Sequence, residues 1–158
     1  MSREVRMVPK DWVHPSYEGG RLIGLFDSDF KECADDWDKE CAEWDAGNFP
    51  SYVCDDSKKL SYSEWCGERP SKEYYMPTWK KEEKTHLMMY ETTSEGTPIS
   101  PAFETPEDLA KWLYDNEASA FGGSKGTYEG WLRVAQGGYA PSMAMSSKGL
   151  ESGVEAMK

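Results

Sequence analysis

Apolar and polar positions repeat with a helical period most clearly between residues 28 and 46. Phe30, Cys33, Trp37, Cys41 and Trp44 recur there at steps of three and four, which lays them along one stripe of a helix. Ser28 is the expected N-cap, Asp29 and Glu32 suit the positive end of the helix dipole, and Gly47-Asn48 ahead of Pro50 supplies a stop. Upstream, residues 3–8 (REVRMV) predict a short strand ended by Pro9, then an ordered loop punctuated by His14-Pro15 and Gly19-Gly20, then a second short strand over Leu22 to Phe26. Residues 49–75 mix prolines, glycine, serines and tyrosines and give only a short helix over Leu60 to Trp65.

Further on the pattern clears. A strand over Lys84 to Thr92, a turn at SEGT and a partner strand over Pro98 to Phe103 form a predicted hairpin. Thr105-Pro106-Glu107-Asp108 then opens a helix with a cap, a proline at its first position and two acids in its first turn, burying Leu109, Trp112 and Leu113. After a Phe121-Gly122-Gly123 loop, Thr127 caps a second helix with Tyr128, Trp131, Leu132 and Ala135 on one face, stopped by Gly137-Gly138. The hairpin and two helices thus occupy 84–137. The segment 138–158 is either a small hairpin turning at Ser147-Lys148-Gly149 or a frayed tail. The predicted fold class is α+β: a small antiparallel sheet packed with about three helices in a single domain, with or without a small appendage.

Composition adds two constraints. Seven tryptophans and nine tyrosines in 158 residues can build a compact core from few aliphatics, because each ring buries a large area. The formal net charge of −11 argues against direct binding of a nucleic-acid backbone, which needs a basic footprint, and against an anionic membrane surface. No apolar run approaches the roughly 20 residues that cross a bilayer, and the charged start MSREVRMVPKDW carries no signal-peptide core. A cytosolic location is therefore expected.

The charge is organised in one place. Residues 28–46 hold eight carboxylates against two lysines, and Asp29, Glu32, Asp35, Asp36, Glu40 and Glu43 occupy the flanks and far side of the helix. Like charges three and four apart oppose helix formation by a few tenths of a kcal/mol each. Interleaved lysines would give the same solubility at lower cost, so the bias favours a use for that face. These six residues are the candidate partner-binding set.

No catalytic residue, cofactor or metal site is assigned. Cys33 and Cys41 are separated by about 12 Å along one helix, too far for one zinc or a disulfide, and the spacing with Cys54 and Cys66 fits no zinc knuckle, so four free and mostly buried thiols are expected. His86 falls in a strand and is read as structural, and His14 as a hydrogen-bonding loop residue. GGSKGTYEG at 122–130 lacks the phosphate-loop pattern and reads as a connector leading to the Thr127 cap. The numerous carboxylates single out no acid–base pair.

The segments HLMMYETTSEGTPISPAFETPEDLAKWLYDNEASAFGG, TYEGWLRVAQGGYAPSMAM and GLESGVEAM, together with the opening EVRMVPKDWVHP, resemble small acidic proteins of unassigned function encoded by tailed bacteriophages and prophages. The likeness spans roughly residues 3–30 and 74–157 and omits the cysteine-bearing middle. It implies a phage origin and the host cytoplasm, and it carries no site. In that setting the first expectation is an interaction protein that inhibits a host defence or nucleic-acid-processing complex, its carboxylates standing in for phosphates on a basic protein surface. Eight acids over about 28 Å of helix give roughly half the charge density of a duplex, enough for a short segment or one strand. A second expectation is a phage accessory or structural protein that contacts a partner through the SEGTPISPAF and GYAPSMAM segments. A third is a small-ligand or nucleotide binder whose pocket uses Trp79, Tyr90 and Trp112. The oligomeric state is not read from the sequence.

Overall fold

The structure, a computed structural model, describes residues 1–92, 96–146 and 149–156. The fold is α+β, and the chain divides into two compact units, one made of residues 1–26 with 77–158 and the other of residues 27–76.

The first unit is built on a four-stranded antiparallel sheet. Strand β1 (Ser2–Val8) pairs along its length with β2 (His86–Thr92), β3 (Gly96–Pro98) extends β2 on the outer side, and β6 (Tyr139–Ala140) flanks β1. Two short hairpins accompany it, β4 (Ser119–Phe121) with β5 (Ser124–Lys125), and β7 (Met143–Ser146) with β8 (Gly149–Ser152). The helices α3 (Pro106–Asp115) and α4 (Tyr128–Gly137) pack on each other and on the sheet. Trp131, Leu109, Leu113, Val134 and Met89 are fully buried between them. Both helices begin as their sequences predict: Thr105 accepts the Asp108 amide at 3.1 Å and Thr127 accepts the Gly130 amide at 3.1 Å, while Gly138 closes α4 in the left-handed region.

Two strand expectations need correction. Leu22 to Phe26 forms no continuous strand; its pairing is by isolated bridges, among them Leu22 with Ser16 and Leu25 with Gly96. The partner of β2 is Gly96–Pro98, not Pro98 to Phe103. Pro101 has no amide to offer the ladder, so pairing beyond Pro98 continues only at Ile99 and Phe103, and the Met89 amide turns to the Ser100 hydroxyl at 2.9 Å. A Cβ at Gly96 would lie 2.5 Å from the Arg6 Nη2, so a larger residue there would have to displace that guanidinium. Ser94 and Glu95 of the predicted SEGT turn lie outside the described residues, as do Ser147 and Lys148 of the C-terminal turn, whereas Gly96 and Thr97 belong to β3 and not to a turn. The β7–β8 hairpin itself is present, and the loop expected at Phe121-Gly122-Gly123 is the Gly122-Gly123 turn of the β4–β5 hairpin, with Phe121 ending β4.

The central strand β1 carries two arginines inward, an expense that hydrogen bonds offset. Arg3 donates twice to the Ser119 carbonyl, at 3.0 and 2.7 Å, and pairs with Glu91, its directly opposite residue on β2. Arg6 donates to the Leu25 carbonyl at 2.7 Å and lies 4.5 Å from the centre of the Tyr90 ring. His14 is a loop hydrogen bonder, as expected: Trp12 Nε1 donates to the Tyr90 hydroxyl, which leaves that hydroxyl to donate to His14 Nδ1, while His14 Nε2–H donates to the Ile23 carbonyl at 2.6 Å. Burial, reinforced by the nearby Arg6 charge against the opposing Ile23 bond, holds the His14 pKa below its ordinary value. The unfolded chain therefore takes up this proton first on acidification. The stability tied to neutral His14 is fully present above about pH 6.5 and is lost as pH falls from there through the folded-state value. The urea midpoint should drop as pH falls below about 6.5 in the parent, and that drop should be smaller in His14→Gln.

The last helix, α5 (Gly153–Ala156), holds the C-terminal hairpin to α4: Glu155 accepts the Thr127 amide at 2.7 Å. Its first residue has no room for a side chain, since a Cβ on Gly153 would lie 1.8 Å from the Pro141 carbonyl oxygen. Backbone cannot yield as a side-chain tip can. Gly153→Ala should lower stability by about 3 kcal/mol, measurable as a shifted denaturation midpoint, whereas Gly149→Ala meets no atom within 4 Å and would cost only the backbone strain of its φ of +110°.

The second unit centres on α1 (Phe30–Asp45) and the short α2 (Tyr62–Cys66). The cap of α1 is Asp29, not Ser28: the Asp29 carboxylate accepts the Glu32 amide at 3.0 Å. A carboxylate there also meets the dipole, which a serine hydroxyl does not. At the other end the Gly47 amide bonds to the Trp44 carbonyl and the Asn48 amide to the Glu43 carbonyl, both at 2.9 Å, the paired closure that a left-handed glycine permits. Ser61 and Glu64 form a reciprocal capping box on α2. Trp44, Val53 and Tyr62 are the buried core of this unit, with Trp37, Cys41, Phe49 and Trp65 packed around them.

Candidate functional site

The six candidate acids Asp29, Glu32, Asp35, Asp36, Glu40 and Glu43 are all exposed, and the 49–75 stretch leaves them open to solvent. They do not form one array. At 100° per residue, Asp29, Glu32, Asp36, Glu40 and Glu43 fall within about 80° of one another along one flank of α1, while Asp35 projects from the outer face. Asp38 and Asp45 lie on the opposite flank.

Their internal obligations differ as well. Asp29 is engaged as the cap, Asp35 pairs with Lys31, Glu40 accepts the Tyr62 hydroxyl, and Glu43 accepts Asn48 Nδ2 at 2.7 Å. Asp38 takes both arms of Arg69, at 2.8 and 2.7 Å, and that hydrogen bonding holds its carboxyl below the usual range. The carboxylates of Glu32 and Asp36 carry no hydrogen bond or ion pair among the described residues. Adjacent on the flank and one turn apart, they are the two whose charge is wholly available to a partner.

Beside Glu40 and Glu43 the flank opens into a surface pocket of about 280 Å³. Its wall is aromatic. Trp44 and Trp65 stack with ring centres 4.6 Å apart and planes at 24°, Tyr52 stands over Trp65 at 6.4 Å and 32°, and Tyr62 closes the inner side. Trp44 is fixed by its indole N–H on the Leu60 carbonyl at 2.9 Å. Burial, then hydrogen bonding with Cys66 and Glu40, pushes the Tyr62 phenol far above its ordinary pKa, so it remains a donor to Glu40. Tyr52 is 79% exposed and Trp44 5% exposed, so the pocket runs from solvent to core within two rings.

None of these rings except Trp44 was singled out by the sequence. The one available signal was Ser61-x-x-Glu64, a capping box that places Trp65 on a helix facing the 37–44 stripe. Trp37, expected to face the core, is only half-buried; its indole N–H donates to the Gly67 carbonyl at 3.2 Å. The cysteines also depart from expectation. All four are free, but Cys33 and Cys41 are half-buried and Cys54 and Cys66 are exposed, because the turn at 54 and the end of α2 sit at the surface of a small unit. Among the described residues no group of three or more His, Cys, Asp or Glu side chains is placed to hold a metal.

Trp79, Tyr90 and Trp112 do not converge. Tyr90 is fully buried, Trp79 packs edge-on against Trp12 at 4.9 Å, and Trp112 leans on Phe103 at 6.2 Å. Of the loop segments, Gly96 and Ser100 are buried, whereas the C-terminal hairpin exposes Met145 (78%) directly opposite Leu150 (61%), beside exposed Met143. Among the described residues no helix is long and apolar enough to cross a membrane. No protein-family model, no curated protein and no solved structure matches the chain.

Proposed function

We propose that the chain is an interaction protein that binds a basic protein surface through the acidic flank of α1. The observation that carries this is the row Asp29, Glu32, Asp36, Glu40 and Glu43, all exposed on one flank, with Glu32 and Asp36 free of any internal cation. A fold that needed these acids only for its own stability would pair them with cations, as it does Asp35 with Lys31 and Asp38 with Arg69. The resemblance to small acidic phage proteins supports a host-cytoplasm setting and a defence or nucleic-acid-processing complex as the partner class, inhibited by carboxylates occupying sites meant for phosphates. Direct nucleic-acid and membrane binding are disfavoured by the net charge of −11.

The test is capture of partners from bacterial lysate at low and moderate salt by the parent and by the double variant Glu32→Lys/Asp36→Lys. A second reading rests on a different surface: the exposed Met145–Leu150 pair suits an apolar contact with a partner in an accessory or structural role. Capture through that hairpin would be insensitive to salt and to the double variant.

A further inference from the structure

We infer that the aromatic pocket beside Glu40 and Glu43 is a receptor for an arginine side chain presented by the basic partner. The inference rests on the acidic-flank proposal for its partner and adds what that partner must insert. Three features of the pocket point to a guanidinium.

The first is ring geometry. Trp44 and Trp65 are in direct stacking contact at 4.6 Å, but Tyr52 stands off Trp65 at 6.4 Å with its plane tilted only 32°. That spacing leaves the outer faces of Trp65 and Tyr52 available to a flat group, and a cation within about 6 Å of a ring centre is attracted by the π face. The second is charge. Two carboxylates border the pocket against one ammonium, Lys39. Tyr62 occupies one oxygen of Glu40 and Asn48 one oxygen of Glu43, which leaves the second oxygen of each to accept from a ligand. The third is solvation. A site walled by rings strips water from what enters it, and a guanidinium is more weakly hydrated than an ammonium, stacks on aromatic faces and offers five N–H donors in a plane. A primary ammonium would lose more hydration and could not stack. The volume of about 280 Å³ accommodates one such side chain.

The pocket also opens on the same flank as Glu32 and Asp36. A basic surface drawn to those two carboxylates would bring its arginines to the pocket mouth, so steering and anchoring would be divided between neighbouring groups.

The experiment is a titration of the full chain with N-acetyl-arginine amide, and with the matched lysine and citrulline amides, followed through the indole N–H resonances of Trp44 and Trp65 by NMR. Citrulline keeps the shape of arginine and removes the charge. Saturating shifts with arginine, at least tenfold weaker binding of citrulline and lysine, and at least fivefold weaker arginine binding by Tyr52→Ala are expected. Tyr52 is exposed, so its truncation leaves the core in place. Glu32→Lys/Asp36→Lys should bind the arginine amide within twofold of the parent at moderate salt. A flat arginine titration, equal binding of citrulline or lysine, or an unaffected Tyr52→Ala variant would overturn the assignment. The two proposals fail separately: a flat titration leaves salt-sensitive capture standing, and salt-insensitive capture leaves the arginine titration standing.

Discussion

Replacing Glu32 and Asp36 by lysine is expected to weaken partner capture by about 100-fold, or roughly 2.7 kcal/mol, while the denaturation midpoint stays within about 0.5 kcal/mol of the parent. The first figure follows from putting two like charges against a basic surface, where such juxtaposition costs several kcal/mol in total. The second follows from the structure: neither side chain makes a hydrogen bond or ion pair among the described residues, and turning the Asp36–Glu40 repulsion into an attraction offsets the loss of the Glu32 charge at the positive end of the helix dipole, while the repulsion between positions 32 and 36 stays with its sign reversed. Choosing these two matters. Glu40→Lys would strand the Tyr62 hydroxyl, Glu43→Lys would release Asn48 at the helix end, and Asp29→Lys would remove the cap, so each mixes binding with folding. Parent capture should itself fall steeply between low and moderate salt, since surface charge pairs are screened over about 8–10 Å. A double variant that captures the same proteins with the same salt dependence would sink the acidic-flank proposal.

Trp44→Ala should unfold the 27–76 unit outright. Truncating a buried tryptophan costs about 3–5 kcal/mol, and a unit of this size holds roughly 2.5–7.5 kcal/mol in all. Trp44 touches every other ring in the local cluster that matters: it stacks on Trp65, meets Phe49 edge-on at 4.8 Å and lies against Tyr62 at 5.7 Å. Its indole N–H also ties α1 to the Leu60 carbonyl. With only Val53 and Tyr62 left buried there, nothing remains to order residues 49–66. Native-state hydrogen exchange would report the result as loss of protection in α1 and α2. Trp44→Phe keeps most of the buried area and loses the hydrogen bond, so it should cost about 1–2 kcal/mol and leave protection measurable. Retained protection in Trp44→Ala would show that the unit draws its order from elsewhere.

What could be read along the chain and what could not separate on a physical line. Helix ends are decided within a few residues, by side chains bonding to nearby backbone, so the sequence alone determined the Thr105 and Thr127 caps, the Gly47-Asn48 closure and the span of α1 to within two residues. The one local miss, Ser28 for Asp29, arose because both residues can cap and only one has its oxygen over the Glu32 amide. Strand pairing is settled by distant partners. Nothing near residue 22 says that Leu25 will bridge Gly96, and nothing near residue 98 says that the Arg6 guanidinium will occupy the space a larger residue at 96 would need.

The site divides in the same way. A helical period tells which face a residue takes, so the exposure of the six acids followed from spacing alone. Which of them are already bound did not, because Tyr62 reaches Glu40 from α2 and the Asn48 bond to Glu43 depends on how the chain leaves α1. The pocket depends on Tyr52 and Trp65, in a stretch without periodicity, meeting Trp44 across many residues of separation. Local pattern fixed the elements and the charged face of α1. Long-range packing decided which carboxylates are free and where the aromatic rings leave a space.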